Sequence, residues 1–563
     1  MPAIATDSLA LQRLYHWERQ APDRPTLTQP LGGGQLLELT WAQVADGVRR
    51  MAAHLQAQGW EPGSKIAILS KNCAWWLMSD LAIWMAGHVS VPLYPTLAPE
   101  TIRQILEHSE AKALFVGKLD GWETMKAGVP MGLPCISYPL SPDEAKQRYE
   151  GWDAICARTP PLQGEPVRGA EELCTLIYTS GTTGLPKGVM HSFGAFAWAI
   201  STGIERFQLS GSDRMLSYLP LAHVVERMLV EHGWLHTGMR IYFAESLDSF
   251  AADLQRARPT VFFSVPRLWV KFQQGILQKL PQKKLDLLLS LPLIGGLIRR
   301  KVQKALGLDQ CRIAAGGAAP MPLALLEWYA KLGLPINEGY GMTENLAVSH
   351  ITIPGQNQRG TVGKPYAGVQ TRIDPASGEL QMRSPAVMLG YYKEPEQSRE
   401  AFTADGWLRT GDKAAEDANG CLRITGRVKD LFKTSKGKYV APAPIEDRLC
   451  MHPAVEACVV TGANLSQPLG VVMLSADAAE RSGGSAAARA ELDAQLSAHL
   501  DEINARLDPH EQLECLVAIK TPWTVDNGFI TPTFKVKRNR IEEVYAAHYD
   551  EWVAGRKKVV WGD

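Results

Sequence analysis

The sequence predicts an α/β fold in at least two domains, and three observations lead there. At 563 residues the chain exceeds what one hydrophobic core usually supports. Its first two-fifths alternate helical stretches with short β-rich runs, the pattern of buried parallel strands joined by helices. Around Gly426-Arg427-Val428-Lys429-Asp430 the pattern restarts with a compact charged stretch and a new series of strands and helices, which places a hinge there.

Taken in order, residues 65–70, 89–94, 113–117 and 173–178 read as largely buried strands, and 240–244 and 260–265 continue the series. Residues 370–392 alternate around the turn-forming Asp374-Pro375-Ala376-Ser377-Gly378, which predicts a β-hairpin or a small β-barrel-like portion. Arg481-Ser482-Gly483-Gly484-Ser485 has the composition of a linker ahead of an alanine-rich helix over 486–507.

Composition narrows the function classes. Lys plus Arg and Asp plus Glu both total 59, so no global field draws the chain to nucleic acid. Nine cysteines without a C-x-x-C pair indicate neither a zinc site nor a disulfide framework. Residues 1–30 place Asp7 ahead of the first basic residue and lack the apolar core of a leader peptide, which argues for the cytoplasm. The longest apolar run, 287–298, is broken by Pro292 and Gly295-Gly296 and is too short to span a bilayer. It reads as a buried helical hairpin; the flanking Lys283-Lys284 and Arg299-Arg300-Lys301 also suit peripheral contact with the inner face of a membrane.

The run 173–178 leads directly into Thr179-Ser180-Gly181-Thr182-Thr183-Gly184-Leu185-Pro186-Lys187-Gly188. Glycines let backbone N–H groups turn inward, hydroxyls add donors and Lys187 adds a compact positive charge, so the loop suits a polyphosphate. The spacing departs from G-x-x-x-x-G-K-[ST], because Gly188 follows Lys187, which disfavours a P-loop kinase or GTPase. Alone, such a loop is more often a solvated turn than a phosphate site.

The string 178–188 resembles the signature of the adenylate-forming superfamily of acyl-CoA synthetases, luciferases and peptide-synthetase adenylation domains. That resemblance implies a large N-terminal domain, 1–428, that binds AMP and the acyl group. It also implies a small, mobile α+β lid, 429–563, with the active site between them. Further segments resemble the family in the expected order. Gly316-Gly317-Ala318-Ala319-Pro320 is similar to the glycine-rich edge beside adenine and the acyl group. Gly339-Tyr340-Gly341-Met342-Thr343-Glu344 is similar to the segment in which Tyr340 would stack on adenine, Thr343 would bond the α-phosphate and Glu344 would hold magnesium. In Trp407-Leu408-Arg409-Thr410-Gly411-Asp412 the last residue would take the ribose hydroxyls with Arg427, and Lys429 would be the hinge. Thr531-Pro532-Thr533-Phe534-Lys535-Val536-Lys537-Arg538 would carry the adenylation lysine, Lys535, with Lys537 as the alternative register.

Less universal segments resemble the long-chain fatty acyl-CoA synthetase branch: residues 91–97, Tyr218-Leu219-Pro220-Leu221-Ala222-His223-Val224-Val225-Glu226-Arg227, residues 265–269 and residues 432–442. By that resemblance His223 is an aromatic gate beside the reacting carboxylate, where a plain reading makes it a helix cap or a core histidine. Lys436, Gly437 and Lys438 would meet CoA. Ala443 stands where many members of the branch have a glutamate. The implied activity is ATP- and magnesium-dependent activation of a fatty acid to acyl-AMP, then transfer to CoA. Delivery to a carrier protein or another acceptor, and a non-catalytic lipid-binding member of the fold, are the alternatives. Nucleic acid is not an expected partner, and the oligomeric state stays open.

Overall fold

The computed structural model describes residues 4–562 apart from 181–185, 354, 357, 526 and 532–534. The chain divides into two compact units. The first is Met1–Ala319, Leu323–Thr371 and Met382–Leu408, and the second is Pro320–Pro322, Arg372–Gln381 and Arg409–Asp563.

In the first unit, the expected strands Val89–Leu93, Lys65–Leu69 and Ala113–Val116 run parallel within an eight-stranded sheet. Their near-continuous apolar runs are those of strands covered on both faces. One cover is the helix Ala74–Met85, all twelve residues of which are buried. Its sequence is apolar all round, as a helix with no solvent face requires. The exceptions are Ser79, bonded by the Tyr138 hydroxyl, and Asp80, which ion-pairs with Arg227, itself paired with Glu231 at 3.0 Å, the three charged side chains fully buried. Arg227 also donates to Thr175 Oγ1 at 2.6 Å and Ser90 Oγ at 2.9 Å, and its guanidinium lies against Trp76, Trp84 and Phe196. One side chain thus ties that helix to two strands of the sheet. Burial and the nearby Asp80 charge push the Glu231 carboxyl up.

A five-stranded sheet begins with Val261–Ser264, Ile313–Gly316 and Ile336–Tyr340 in parallel and continues antiparallel through His350–Ile351 and Lys364–Pro365. Gly316 and Tyr340 therefore end neighbouring parallel strands at their carboxyl ends, where open α/β sheets seat ligands. Local chemistry sets the helix starts. Thr40 and Gln43 form a capping box for Trp41–Gln56, and Ser192 accepts from the Ala195 N–H at the head of Phe193–Phe207.

The apolar run 287–298 does form a helical hairpin, Gln282–Ser290 followed by Ile294–Ala305. The expectation that it is buried fails: Leu285 and Val302 are covered, but Leu287, Leu291, Leu293, Ile294 and Leu297 are exposed. Among the described residues no helix is long and apolar enough to cross a membrane.

The second unit holds most of a four-stranded sheet in the order Gln370–Ile373, Glu379–Arg383, Leu408–Glu416, Leu422–Arg427, with the expected hairpin turn at 374–378 closed by Asp374. A second four-stranded sheet, Val455–Thr461, Leu469–Leu474, Leu516–Ile519 and Val559–Trp561, packs with helices into two apolar clusters. The expected linker at 481–485 is a correction. Residues 481–484 complete the helix Ala476–Gly484, and Ser485 caps the next helix, Ala486–Asn504, by accepting from the Ala488 N–H. Two glycines cost a helix only about 1 kcal/mol each. Buried Ala478 and Ser482 on its inner face hold it in place.

Candidate active site

The phosphate-loop segment is a β-hairpin. Leu173–Ser180 pairs antiparallel with Pro186–Ser192, setting Tyr178 opposite Gly188, Thr179 opposite Lys187 and Ser180 opposite Pro186. The ladder thus claims both ends of the loop expected over 179–188, while Gly181, Thr182, Thr183 and Gly184 lie outside the described residues. Gly188 is small for a packing reason: a Cβ there would come within 3.2 Å of the Tyr178 ring.

Next to this hairpin lies the short strand Gly390–Tyr391, with Tyr391 opposite Val189 and the Tyr392 N–H donating to Gly188 O at 2.8 Å. The Lys187 ammonium sits 5.5 Å from the centroid of the Tyr391 ring. The Tyr391 hydroxyl donates to Glu344 Oε1 at 2.8 Å. Burial and the Glu344 charge push the phenol up, so it remains a donor at neutral pH. One tyrosine therefore touches both the loop lysine and the expected magnesium ligand. Sequence reasoning missed it, because nothing in Gly390-Tyr391-Tyr392 announces which strand lies beside it.

Glu344 belongs to a single 3-10 turn, Thr343–Asn345, held from several sides. Asn345 Oδ1 accepts the Met342 N–H at 2.9 Å, and the Ala347 N–H returns to Met342 O at 2.9 Å. Leu346 and Ala347 both take left-handed backbone, φ 54° and 58°. A Cβ at Gly341 would lie 2.4 Å from the Ala347 carbonyl carbon, so the turn closes only over glycine. Beneath it, His191 Nε2 donates to Thr343 O at 2.8 Å. The carbonyl can only accept, which fixes the proton on Nε2, and burial drives the His191 pKa down to about 4, so the ring is neutral. His191 is a second residue the sequence did not announce.

The strand ends expected beside adenine meet closely. A Cβ on Gly317 would lie 2.7 Å from Gly339 O, and the next residue, Ala318, holds φ +66°. Gly316 pairs with Glu338, and Gly339 and Tyr340 are half-buried. Left-handed backbone at a non-glycine costs of order 1 kcal/mol and gathers at ligand-contacting segments.

His223 caps the short helix Val224–Glu226, its Nδ1 accepting the Val225 N–H at 3.2 Å. The plain capping reading is thus realised in the structure. Its segment is pinned by Asn72, whose amide donates to Leu219 O, Ser217 Oγ and Glu226 Oε1 and whose Oδ1 accepts the Leu221 N–H.

In the second unit, Asp412 and Arg427 sit directly opposite each other on paired strands, with Arg427 Nε 3.1 Å from Asp412 Oδ1. The carboxylate is largely covered and the guanidinium half-exposed. Lys429 lies in the turn that follows. Lys436, Gly437 and Lys438 form the exposed tip between Phe432–Lys433 and Tyr439–Val440, where Gly437 takes φ +77°. Lys535 is exposed in a small hairpin whose arms are tied by Thr531 N–H to Lys535 O at 2.8 Å and Lys537 N–H to Phe529 O at 2.8 Å. Arg538, three residues on, is the anchor: it donates to Glu446 Oε1 at 2.6 Å and to Val460 O at 2.7 Å.

For a magnesium ion the residues fit in chemistry. Glu344 would supply a hard oxygen ligand, one of its oxygens already held by the Tyr391 hydroxyl. Magnesium takes one or two carboxylates and completes its shell with phosphate and water.

A hydroxyl-bearing hairpin with a lysine at its base, a carboxylate fixed by a phenol and two parallel-strand ends in close backbone contact, one of them strained at Ala318, have the makings of a nucleotide triphosphate site. The chain belongs to the AMP-binding enzyme family, which it matches over residues 14–392, with the family's C-terminal domain matching residues 429–555. The long-chain-fatty-acid–CoA ligase FadD15 of Mycobacterium bovis is 32% identical over 96% of this chain and 96% of its own. The peroxisomal long chain acyl-CoA synthetase 6 of Arabidopsis thaliana is 28% identical over 90% of this chain and 80% of its own. Among solved structures, an anthranilate CoA ligase, AuaEII, in complex with anthranoyl-AMP shares the fold at TM-score 0.77 and 22% identity, over 97% of this chain and 99% of its own. The A domain of a carboxylic acid reductase from Segniliparus rugosus, in complex with AMP and a co-purified carboxylic acid, does so at 0.79 and 23%, over 97% and 94%.

Proposed function

We propose that this enzyme uses ATP to convert a fatty acid, most simply a long-chain one, to its acyl-adenylate and then passes the acyl group to CoA, releasing AMP and pyrophosphate. The observation that carries the reading is a match to long-chain-fatty-acid–CoA ligases along nearly the full length of both chains, in a protein that retains Lys187, Thr343, Glu344, Asp412, Arg427 and Lys535.

In the first half-reaction a carboxylate oxygen bonds the α-phosphorus as the bond to the bridging oxygen breaks, and pyrophosphate leaves with the electron pair. The protein has positions to hold and charges to offset, and no nucleophile to supply. Residues 179–184 and Lys187 would hold the β- and γ-phosphates, with Lys187 steadied by the Tyr391 face. Gly316, Gly317, Ala318, Gly339, Tyr340 and Gly341 would seat adenine, Thr343 the α-phosphate, and Asp412 with Arg427 the ribose. Magnesium held by Glu344 would neutralise phosphate charge. Lys535 would add its ammonium for this step alone.

In the second half-reaction the CoA sulfur bonds the acyl carbon, the bond to AMP breaks and the thiol proton passes to solvent. The domains would be 1–428 and a lid of 429–563 turning at Lys429, which withdraws Lys535 and brings Lys436, Gly437 and Lys438 to CoA. His223 would move aside for the thiol. The working place is the cytoplasm, with access to acids dissolved in the membrane's inner face. Purified protein given ATP, magnesium, CoA and carboxylates from short to long, with AMP and thioester both measured, tests the reading. AMP that appears without CoA consumption would redirect the acyl group to another acceptor, and no AMP with any acid would end the catalytic reading.

A further inference from the structure

The hairpin of helices Gln282–Ser290 and Ile294–Ala305 is held to the first unit by one side only. Leu285 and Val302 are buried on that side, Gln282 Oε1 accepts from Trp328 Nε1 at 3.0 Å, and Arg299 and Gln303 donate to the Lys331 and Leu332 carbonyls at 2.9 Å. The opposite side carries Leu287, Leu291, Leu293, Ile294 and Leu297, between 38% and 91% exposed. These five account for a large share of the big apolar side chains that the described surface leaves uncovered.

Their arrangement is a wedge. The leucines converge where the two helices meet, and the cations stand away from the tip: Lys283 and Lys284 open the first helix, and Arg300, Lys301 and Lys304 lie in the second half of the second. Helical spacing aligns Lys283 with Leu287, and Leu297 with Lys301, on single stripes. At roughly 1.5 Å per residue the cations lie about 10–17 Å along the chain axis from Leu291 and Leu293 at the tip. With the tip sunk by the 5–10 Å, roughly, to which interfacial helices bury their apolar faces, the cations stand at or just above the headgroups. Over residues 276–308 seven cations, Lys279, Lys283, Lys284, Arg299, Arg300, Lys301 and Lys304, stand against one anion, Asp286. None of the five collar cations makes an ion pair among the described residues.

The tip is also strained. Leu293 takes φ +67° and ψ −46°, and the Ile294 N–H closes a three-residue turn onto Pro292 O at 2.7 Å. This is the rare, costly form of the γ-turn, and it is spent on a leucine that is 91% exposed. A surface loop in water gains nothing from that.

We propose that this hairpin is a bilayer-docking wedge: Leu291, Leu293, Ile294 and Leu297 enter the acyl layer, and Lys283, Lys284, Arg300, Lys301 and Lys304 take anionic lipid headgroups. It rests on the fatty-acid reading for its purpose, the capture of a substrate that partitions into membranes, but its binding does not depend on catalysis.

The experiment is sedimentation of the full-length protein with vesicles, without ATP or CoA. One vesicle set is phosphatidylcholine alone and the other phosphatidylcholine with a third phosphatidylglycerol. Binding is expected at least tenfold tighter to the anionic vesicles and weakened by salt. Leu293→Glu with Leu297→Glu should lower it at least tenfold, as should Arg300→Glu with Lys301→Glu, while both variants keep the wild-type melting temperature and act normally on a water-soluble short acid. Equal binding of wild type and variants, no vesicle binding, or a wild-type dimer that Leu293→Glu dissolves would each overturn the proposal, the last by making a second copy the occupant. Vesicle binding with no acyl-CoA formation would leave the wedge standing and defeat the catalytic reading instead.

Discussion

The hydroxyl of Tyr391 donates a 2.8 Å hydrogen bond to Oε1 of Glu344 while its ring faces the ammonium of Lys187. Two segments about 150 residues apart, each expected to handle a phosphate or its counterion, are thereby set by a single side chain between them.

Removing that hydroxyl tests whether the arrangement serves adenylation. Tyr391→Phe keeps the ring and loses a hydrogen bond to a charged acceptor, an interaction of about 1.5–3 kcal/mol. Pyrophosphate exchange at saturating acid should fall about 10- to 100-fold and the magnesium requirement should rise, with little change in melting temperature. A variant that melts early but exchanges pyrophosphate at the wild-type rate would make Tyr391 structural only.

Lys535→Ala should lower adenylation at least 100-fold while thioester formation from supplied acyl-AMP stays within a few-fold of wild type. Lys537→Ala should leave both steps nearly intact, since Lys537 heads the helix Arg538–Tyr545. Loss of both half-reactions together in Lys535→Ala, or the half-reaction split appearing in Lys537→Ala, would reassign the role.

Glu226 gives a pH prediction with a definite sign. Burial raises its pKa to about 8 against the ordinary 4.5, although Ser217 and the Tyr218 N–H bond to it. The folded state therefore binds a proton that the unfolded chain releases above about pH 4.5, so its contribution is fully present below that pH and lost as pH rises through about 8. Glu226→Gln, which mimics the protonated form, should flatten the stability profile across that window by up to about 1.4 kcal/mol per pH unit. Denaturant melts of the two proteins at several pH values would show it, and parallel profiles would refute it.

Arg227 is buried with two carboxylates, and removing one partner from such a cluster strands a charge. Arg227→Met should cost about 3–5 kcal/mol. Replacing Asp80, Arg227 and Glu231 together with apolar residues of similar volume should recover most of that loss, as read by urea melts. A triple variant no more stable than Arg227→Met would argue that Thr175 and Ser90, which also bond Arg227, carry the cost.

Much of the first unit was legible because parallel strands covered on both faces leave unbroken apolar runs, and 65–70, 89–94 and 113–117 became Lys65–Leu69, Val89–Leu93 and Ala113–Val116. The positions named from motifs were legible for another reason: the chemistry of phosphate and metal needs hydroxyls, carboxylates and lysines at fixed spacing. Partners across the sheet were not. Tyr391 and His191 gain their places from pairing and packing between distant segments, which no local pattern encodes. The glycines and serines at 481–485 misled because propensity is worth less than two buried contacts on a helix face. The leucines at 287–297 misled in the opposite sense, since apolar residues are assigned to the interior by default and this hairpin keeps them outside.

At Gly317 and Gly339 two backbones touch with no side chain between them. Sequence drift can replace nearly any core side chain if a neighbour compensates, because side chains can repack. A contact between main chains offers nothing to repack: the first methyl group added at Gly317 must push the neighbouring strand itself. This seam is therefore a fixed point for engineering as much as for descent. Libraries that seek a new acyl preference should leave it alone and vary the side chains around it.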